Sequence, residues 1–188
     1  MDYGDYPSDQ NQALSTLSAR RFIEIAAQPT VNDDASSNFG VGCKWVDTTY
    51  SVVDEYVCRD NTAGAAVWVQ SNLQHLMIGE IPLDADSVLH YPLPYACRIV
   101  SLTSTVNRAT TTSAQDATIQ AALGTVGSFT DITTGLITVA GGSVVATQDS
   151  AVITADNIAA AGDILRLTTT DGSQVAAATA IVTAVVAV

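Results

Sequence analysis

Basic residues are scarce in this chain. Seven Lys and Arg stand against 19 Asp and Glu, a net charge of -12 at pH 7, and the single lysine is Lys44. A nucleic-acid partner needs a basic patch to neutralise its phosphates, and an anionic membrane surface attracts polybasic segments, so neither is expected as a partner. Charge of both signs is thin: Asp, Glu, Lys and Arg make up 14% of the chain, against about 25% in an ordinary soluble domain. Aromatic residues contribute only 6%. No apolar run reaches the ~20 residues a membrane-spanning helix needs. The stretch from Ala178 to Val188, apolar apart from threonine, reads as a buried final strand. The opening Met1-Asp2-Tyr3-Gly4-Asp5 lacks the basic and apolar regions of a secretory signal, so the chain is expected to stay in the cytosol where it is made.

Reactive side chains are equally few. Cys43, Cys58 and Cys97 show no metal-type spacing, and in a reducing compartment free thiols are the default. Cys43 and Cys58 lie symmetrically about a hairpin turn: if Trp45 faces Tyr56, then Cys43 faces Cys58, near enough for a disulfide to be conceivable. Cys97 reads as a small packed apolar residue. The two histidines, His75 and His90, have no partner at ligand spacing and read as structural. There is no metalloprotease helix motif, phosphate-binding glycine loop or nucleophile elbow. The carboxylate pairs Asp33-Asp34 and Asp54-Glu55 have the oxygen ligands a hard cation takes but read first as solvated loop; Asp84 and Asp86 only begin a calcium-loop spacing. No catalytic residue, metal ligand or cofactor is expected, and the protein is read as a non-enzyme.

What the chain has instead is Ala, Val, Thr and Ser. Val and Thr are stiff at χ1 and suit pleated strands, which points to an all-β protein. Residues 1–12 read as an acidic arm. From Ala13 to Ala27 a short helix is expected to give way to an extended segment, because Leu14, Leu17, Phe22 and Ile25 recur at roughly helical spacing while Arg21–Ala27 alternates. Pro29 ends that element, and residues 30–40 form a loop dense in Asn, Asp, Ser and Gly. Strands at 42–46, 56–59 and 65–69 then make a small antiparallel meander with Trp45, Tyr56 and Trp68 as its anchors. That aromatic set reads as a core before it reads as a ligand platform.

Beyond it, strands are expected at 75–82, 88–93, 98–106, 117–123, 136–139, 143–147, 164–169 and 180–188. They are separated by turn signals such as Gly141-Gly142 and Gly162-Asp163. Many short strands at such spacing predict an antiparallel β-sandwich or jelly roll. The division expected is residues 1–78 as arm and meander and residues 79–188 as sandwich.

Two segments carry a resemblance. The first runs through Phe22-Ile23-Glu24-Ile25 and Pro29-Thr30, then Gly42-Cys43-Lys44-Trp45-Val46-Asp47, Tyr56-Val57-Cys58-Arg59-Asp60 and Ala66-Val67-Trp68. This pattern resembles a small β-module of tail-fibre and head-fibre proteins. The second, with Ile81-Pro82-Leu83, Cys97-Arg98-Ile99-Val100 and Gly162-Asp163-Ile164-Leu165, resembles the sandwich domains of capsid decoration (cement) proteins and head fibres. The resemblance to tailed-bacteriophage decoration and head-fibre proteins implies a virion protein, made in the host cytoplasm and carried on the capsid surface. It implies the major capsid protein as partner and a homotrimeric state. It places capsid or subunit contacts on the N-terminal region, at Phe22, Ile23, Ile25, Trp45, Tyr56 and Trp68. The competing reading is a tail-fibre or receptor-binding module that recognises host carbohydrate. A glycan-cleaving enzyme would need a carboxylate pair flanking a cleft, and the nine acidic residues beyond Gly79 show no such spacing.

Overall fold

The structure is a computed structural model that describes residues 20–108, 116–170 and 178–188. The arm and the helix expected before Arg20 lie outside the described residues. Apart from one 3-10 turn, Ala35–Ser37, every regular element described is a strand. The chain divides into two compact units between Asn72 and Leu73. That is earlier than the expected boundary after residue 78, because the strand that opens the second unit runs unbroken from Leu73 to Pro82.

The first unit is one four-stranded sheet. Its strands are β1 (Arg20–Ile25), β2 (Phe39–Asp47), β3 (Asp54–Asp60) and β4 (Val67–Gln70), in that spatial order. The expected meander is present as β2, β3 and β4, all antiparallel, with Trp45 opposite Tyr56. The expectation omitted a fourth strand: β1 joins the sheet parallel to β2, with Ile23 beside Trp45. A parallel neighbour needs a long return connection. Here it is the Asn- and Asp-rich segment from Ala26 to Asn38, whose polar side chains satisfy the backbone that no helix satisfies.

That connection is tied down by side chains. Asp34 is buried and caps the 3-10 turn, accepting from the Ser36 amide at 2.8 Å and the Ser36 hydroxyl at 2.6 Å. Its second oxygen accepts from the Gly64 amide at 2.6 Å, which clasps this loop to the one after β3. The indole N–H of Trp45 donates to the Ala27 carbonyl at 2.6 Å, and that of Trp68 to the Asp33 carbonyl at 3.0 Å. The core beneath consists of Phe39, Cys43, Trp45 and Cys58, with Ile23, Tyr56 and Trp68 packed against it. The Phe39, Trp45 and Trp68 rings sit 5.5–5.8 Å apart in tilted and edge-on arrangements, the geometry aromatic quadrupoles prefer.

The second unit is an antiparallel β-sandwich. One sheet runs β10 (Gln148–Val152), β7 (Cys97–Arg108), β13 (Thr179–Ala187), β5 (Leu73–Pro82), with the short β11 (Ile158–Ala159) also on β7. The other runs β6 (Ser87–Pro92), β12 (Ile164–Thr170), β8 (Ala117–Thr125), β9 (Ser128–Val139). Inward residues alternate along each strand, such as Ala180, Val182, Ala184 and Val186 on β13 and Leu165 and Leu167 on β12, all fully buried. They join Ile81, Ile99, Leu102, Ile119 and Ile137 in one aliphatic core shared by both sheets.

Two strand expectations in this unit need correction. Residues 143–147 are not a strand. Two tight turns occupy them, with Ser143 N–H bonded to the Ala140 carbonyl and Thr147 N–H to the Val144 carbonyl, and Ala146 sits at φ 70°. Val144 and Val145 are exposed, so their β-propensity finds no facing surface and the turn after Gly142 prevails. The strand forms one step later, at β10. The strand expected at 136–139 begins at Ser128 instead. Thr125 pairs with Ser128 across a two-residue hairpin at Val126-Gly127, with Gly127 at φ 87°. The polar run Thr130, Asp131, Thr133, Thr134 hides the start of β9 from any alternation test.

Candidate functional site

The six residues singled out from the sequence all lie in the first unit, on two faces of its sheet. Trp45 is buried, and Tyr56 and Trp68 are half-buried around it. Ile23 packs on the same cluster and Ile25 lies further along that face, 45% exposed. Phe22 points the other way and is 58% exposed. The structure therefore gathers Ile23, Trp45, Tyr56 and Trp68 into a core whose indole N–H groups are already bonded, and of the six leaves Phe22 and Ile25 exposed.

The opposite face of this sheet carries a row set by strand register: Phe22, Lys44, Val57 and Val69 lie side by side across β1 to β4. Phe22 and Val69 are exposed and Val57 is half-buried. Lys44 separates Phe22 from the two valines in this row, so its exposed apolar residues stand apart.

Cys43 and Cys58 are both buried, unbridged thiols in the aromatic cluster. Burial pushes the Cys58 thiol above its ordinary value, and the neighbouring Cys43 adds to the effect. Cys43 accepts from the Gly40 amide and Cys58 donates to the Asp60 carbonyl, so each sulfur has a local role. Cys97 is buried in the sandwich core, and burial raises its thiol in the same way. A raised thiol is a poor nucleophile.

Asp33, of the first carboxylate pair, caps its own turn through the Thr30 amide and hydroxyl, while Asp34 is the clasp already described. Among the described residues, no group of three or more His, Cys, Asp or Glu is placed to hold a metal ion. No described helix is long and apolar enough to cross a membrane.

The sandwich offers a surface that attention to reactive residues passed over. On the outward side of the β10–β7–β13–β5 sheet, Ser150, Thr103, Thr183 and Met77 form one row, and Val152, Ser101, Val185 and His75 the next. None of these eight carries a carboxylate, ammonium or guanidinium group. The signal is present in the sequence as the alternation of Ser101, Thr103 and Thr105 with Leu102, Ser104 and Val106, whose members are buried. Charge enters this face at its margin, where Glu80 accepts from Asn107 at 2.9 Å and from Thr179. Those two bonds, Thr179 first, and the nearby Arg108 hold the Glu80 carboxyl below its ordinary value.

Comparison with known proteins found no matching family model, no matching curated protein and no matching solved structure.

Proposed function

We propose that this protein is a non-enzymatic structural subunit of a tailed-bacteriophage particle that binds the outer surface of the capsid and stabilises or decorates it. The observation that carries the reading is the charge-poor outward face built from Ser101, Thr103, Ser150, Thr183, Val185 and Met77. Interfaces between subunits are depleted in charge at their centre. Short β-branched and hydroxyl side chains on a rigid sheet also lose little rotamer freedom when covered. The face suits contact between copies, with a homotrimer as the assembly and a jelly-roll form for the sandwich. The first unit, with Phe22 and Ile25 exposed, is the capsid-docking part; Trp45, Tyr56 and Trp68 hold it together from inside. The resemblance of residues 20–70 and of the sandwich segments to phage decoration and head-fibre proteins supports the same assignment. A net charge of -12 keeps the free subunit soluble before assembly. A ligand that binds only the assembled shell shifts the equilibrium toward assembly.

The test is cosedimentation of the purified protein with capsids assembled from the major capsid protein, with a mass measurement of the free form. Stoichiometric binding by a trimeric species is the expected result. A protein that stays in the supernatant at all concentrations overturns the proposal.

A further inference from the structure

The outward face of the other sandwich sheet, β6–β12–β8–β9, carries a pocket of about 360 Å³ lined by His90, Val126, Gly127, Phe129 and Ile164. That volume is at the lower end of the range for small-ligand sites. Phe129, Gly124 and Ile164 lie in one row across β9, β8 and β12. Gly124 puts no side chain between Phe129 and Ile164. No other residue fits there, since a Cβ at Gly124 would lie 2.0 Å from the Ser128 carbonyl oxygen, and its φ is 156°.

The aromatic wall is held in place from its surroundings. The His90 imidazole stacks on the Phe129 ring with centroids 5.6 Å apart and planes 28° apart. The Arg166 guanidinium lies 4.5 Å from the Phe129 centroid and 3.6 Å from the Asp131 carboxylate. A ring fixed beforehand costs a guest little ordering entropy. At the rim, Val126 is 87% exposed on the hairpin tip, an apolar surface that a guest would cover.

We propose that this pocket binds a single aromatic ring carrying one hydrogen-bonding atom, of the phenol or indole type. The lining contains no Lys, Arg, Asp or Glu, and the nearby Arg166 guanidinium is already engaged by the Phe129 ring and the Asp131 carboxylate, so the lining favours a neutral guest. Val126, Phe129 and Ile164 require an apolar body, and the fixed Phe129–His90 pair favours a planar one that stacks. The imidazole of His90 is the one polar side chain in the lining and can satisfy one polar atom of the guest.

The test is titration of the full chain, followed by amide proton–nitrogen correlation spectra, with four probes: p-cresol, indole, cyclohexanol and the capped peptide Gly-Tyr-Gly. Saturable shifts at Val126, Gly127, Phe129 and Ile164 with p-cresol and indole are expected, with cyclohexanol weaker by about fivefold because it cannot stack. Phe129→Ala should abolish binding. Because that change could loosen the hairpin, Val126→Asp at the exposed tip is the second variant; it should weaken binding at least as much while leaving the rest of the spectrum in place. A peptide that binds as tightly as p-cresol assigns the ring to a side chain of a partner protein; p-cresol binding without peptide binding assigns a free small molecule. Absence of saturable shifts with both rings, equal binding of cyclohexanol, or binding that survives both variants overturns the proposal.

Discussion

The two units reach stability by different routes. The first has a single sheet, so nothing of its own faces the apolar side except loops and large rings. Its core is Phe39, Trp45, Cys43 and Cys58, and the loops that close it are held by the Asp34 clasp and two indole N–H bonds. The sandwich has two sheets that cover each other. Among the described residues its buried core, from Ile78 to Val186, is aliphatic apart from Cys97 and contains no Phe or Trp. Where a second sheet is present, alternation of Val, Leu, Ile and Ala suffices. Where it is absent, a few aromatic residues with polar ends must cover the core and anchor the loops together.

Both tryptophans lie in the first unit, so tryptophan fluorescence reports that unit alone while far-ultraviolet dichroism reports both. Trp45→Ala has the largest expected effect, about 3–5 kcal/mol, enough to unfold a single-sheet unit of this size. Fluorescence should resemble that of an unfolded chain while the dichroism transition of the sandwich stays in place. Leu165→Ala is the converse, with a cost of about 2–5 kcal/mol confined to the sandwich. Its denaturant midpoint by dichroism should fall with the fluorescence midpoint unchanged; a joint shift would show that the units unfold as one.

The Asp34 clasp predicts a smaller, pH-dependent effect. Bonds from the Ser36 hydroxyl and then the Gly64 amide hold this carboxyl below its ordinary value. The folded value thus lies below the unfolded one. The stability it contributes is complete above a pH of about 4 and is lost as pH falls through the folded value. Fluorescence-detected stability should decline across that acid window in the native chain. Asp34→Asn should be less stable at neutral pH and show a flatter acid decline. Thr183→Lys, on the outward face of β13, should change subunit stability by less than about 0.5 kcal/mol yet lower the mass of the free species if that face joins copies.

How much of this was legible beforehand follows the same division. The sandwich strands at 98–106, 117–123, 164–169 and 180–188 were readable because inward and outward residues alternate there. The Trp45–Tyr56 pairing, entertained only as a condition for Cys43 facing Cys58, is the register the strands take. β1 was only half legible: the extended character of residues 21–27 shows in the sequence, but its parallel pairing depends on a return loop whose hydrogen bonds come from Asp33, Asp34 and two distant indoles. Val144 and Val145 misled because propensity is a statement about packing surfaces, and none faces them. The pocket beside Phe129 was invisible, since its lining comes from His90, the Val126–Phe129 hairpin and Ile164, which only the sheet order brings together.

The position of β13 bears on how the protein is made. This strand lies between β5 and β7 and pairs with both along its length. The sheet therefore cannot close until Ala187 has left the ribosome, about 5–20 s after Pro82 has emerged at ordinary elongation rates. Through that interval β5 and β7 each wait with an open ladder edge, while every partner needed by the first unit is already out of the exit tunnel. Synthesis thus presents a finished first unit ahead of an unfinished sheet, and the nascent chain is most vulnerable to wrong pairing until β13 emerges.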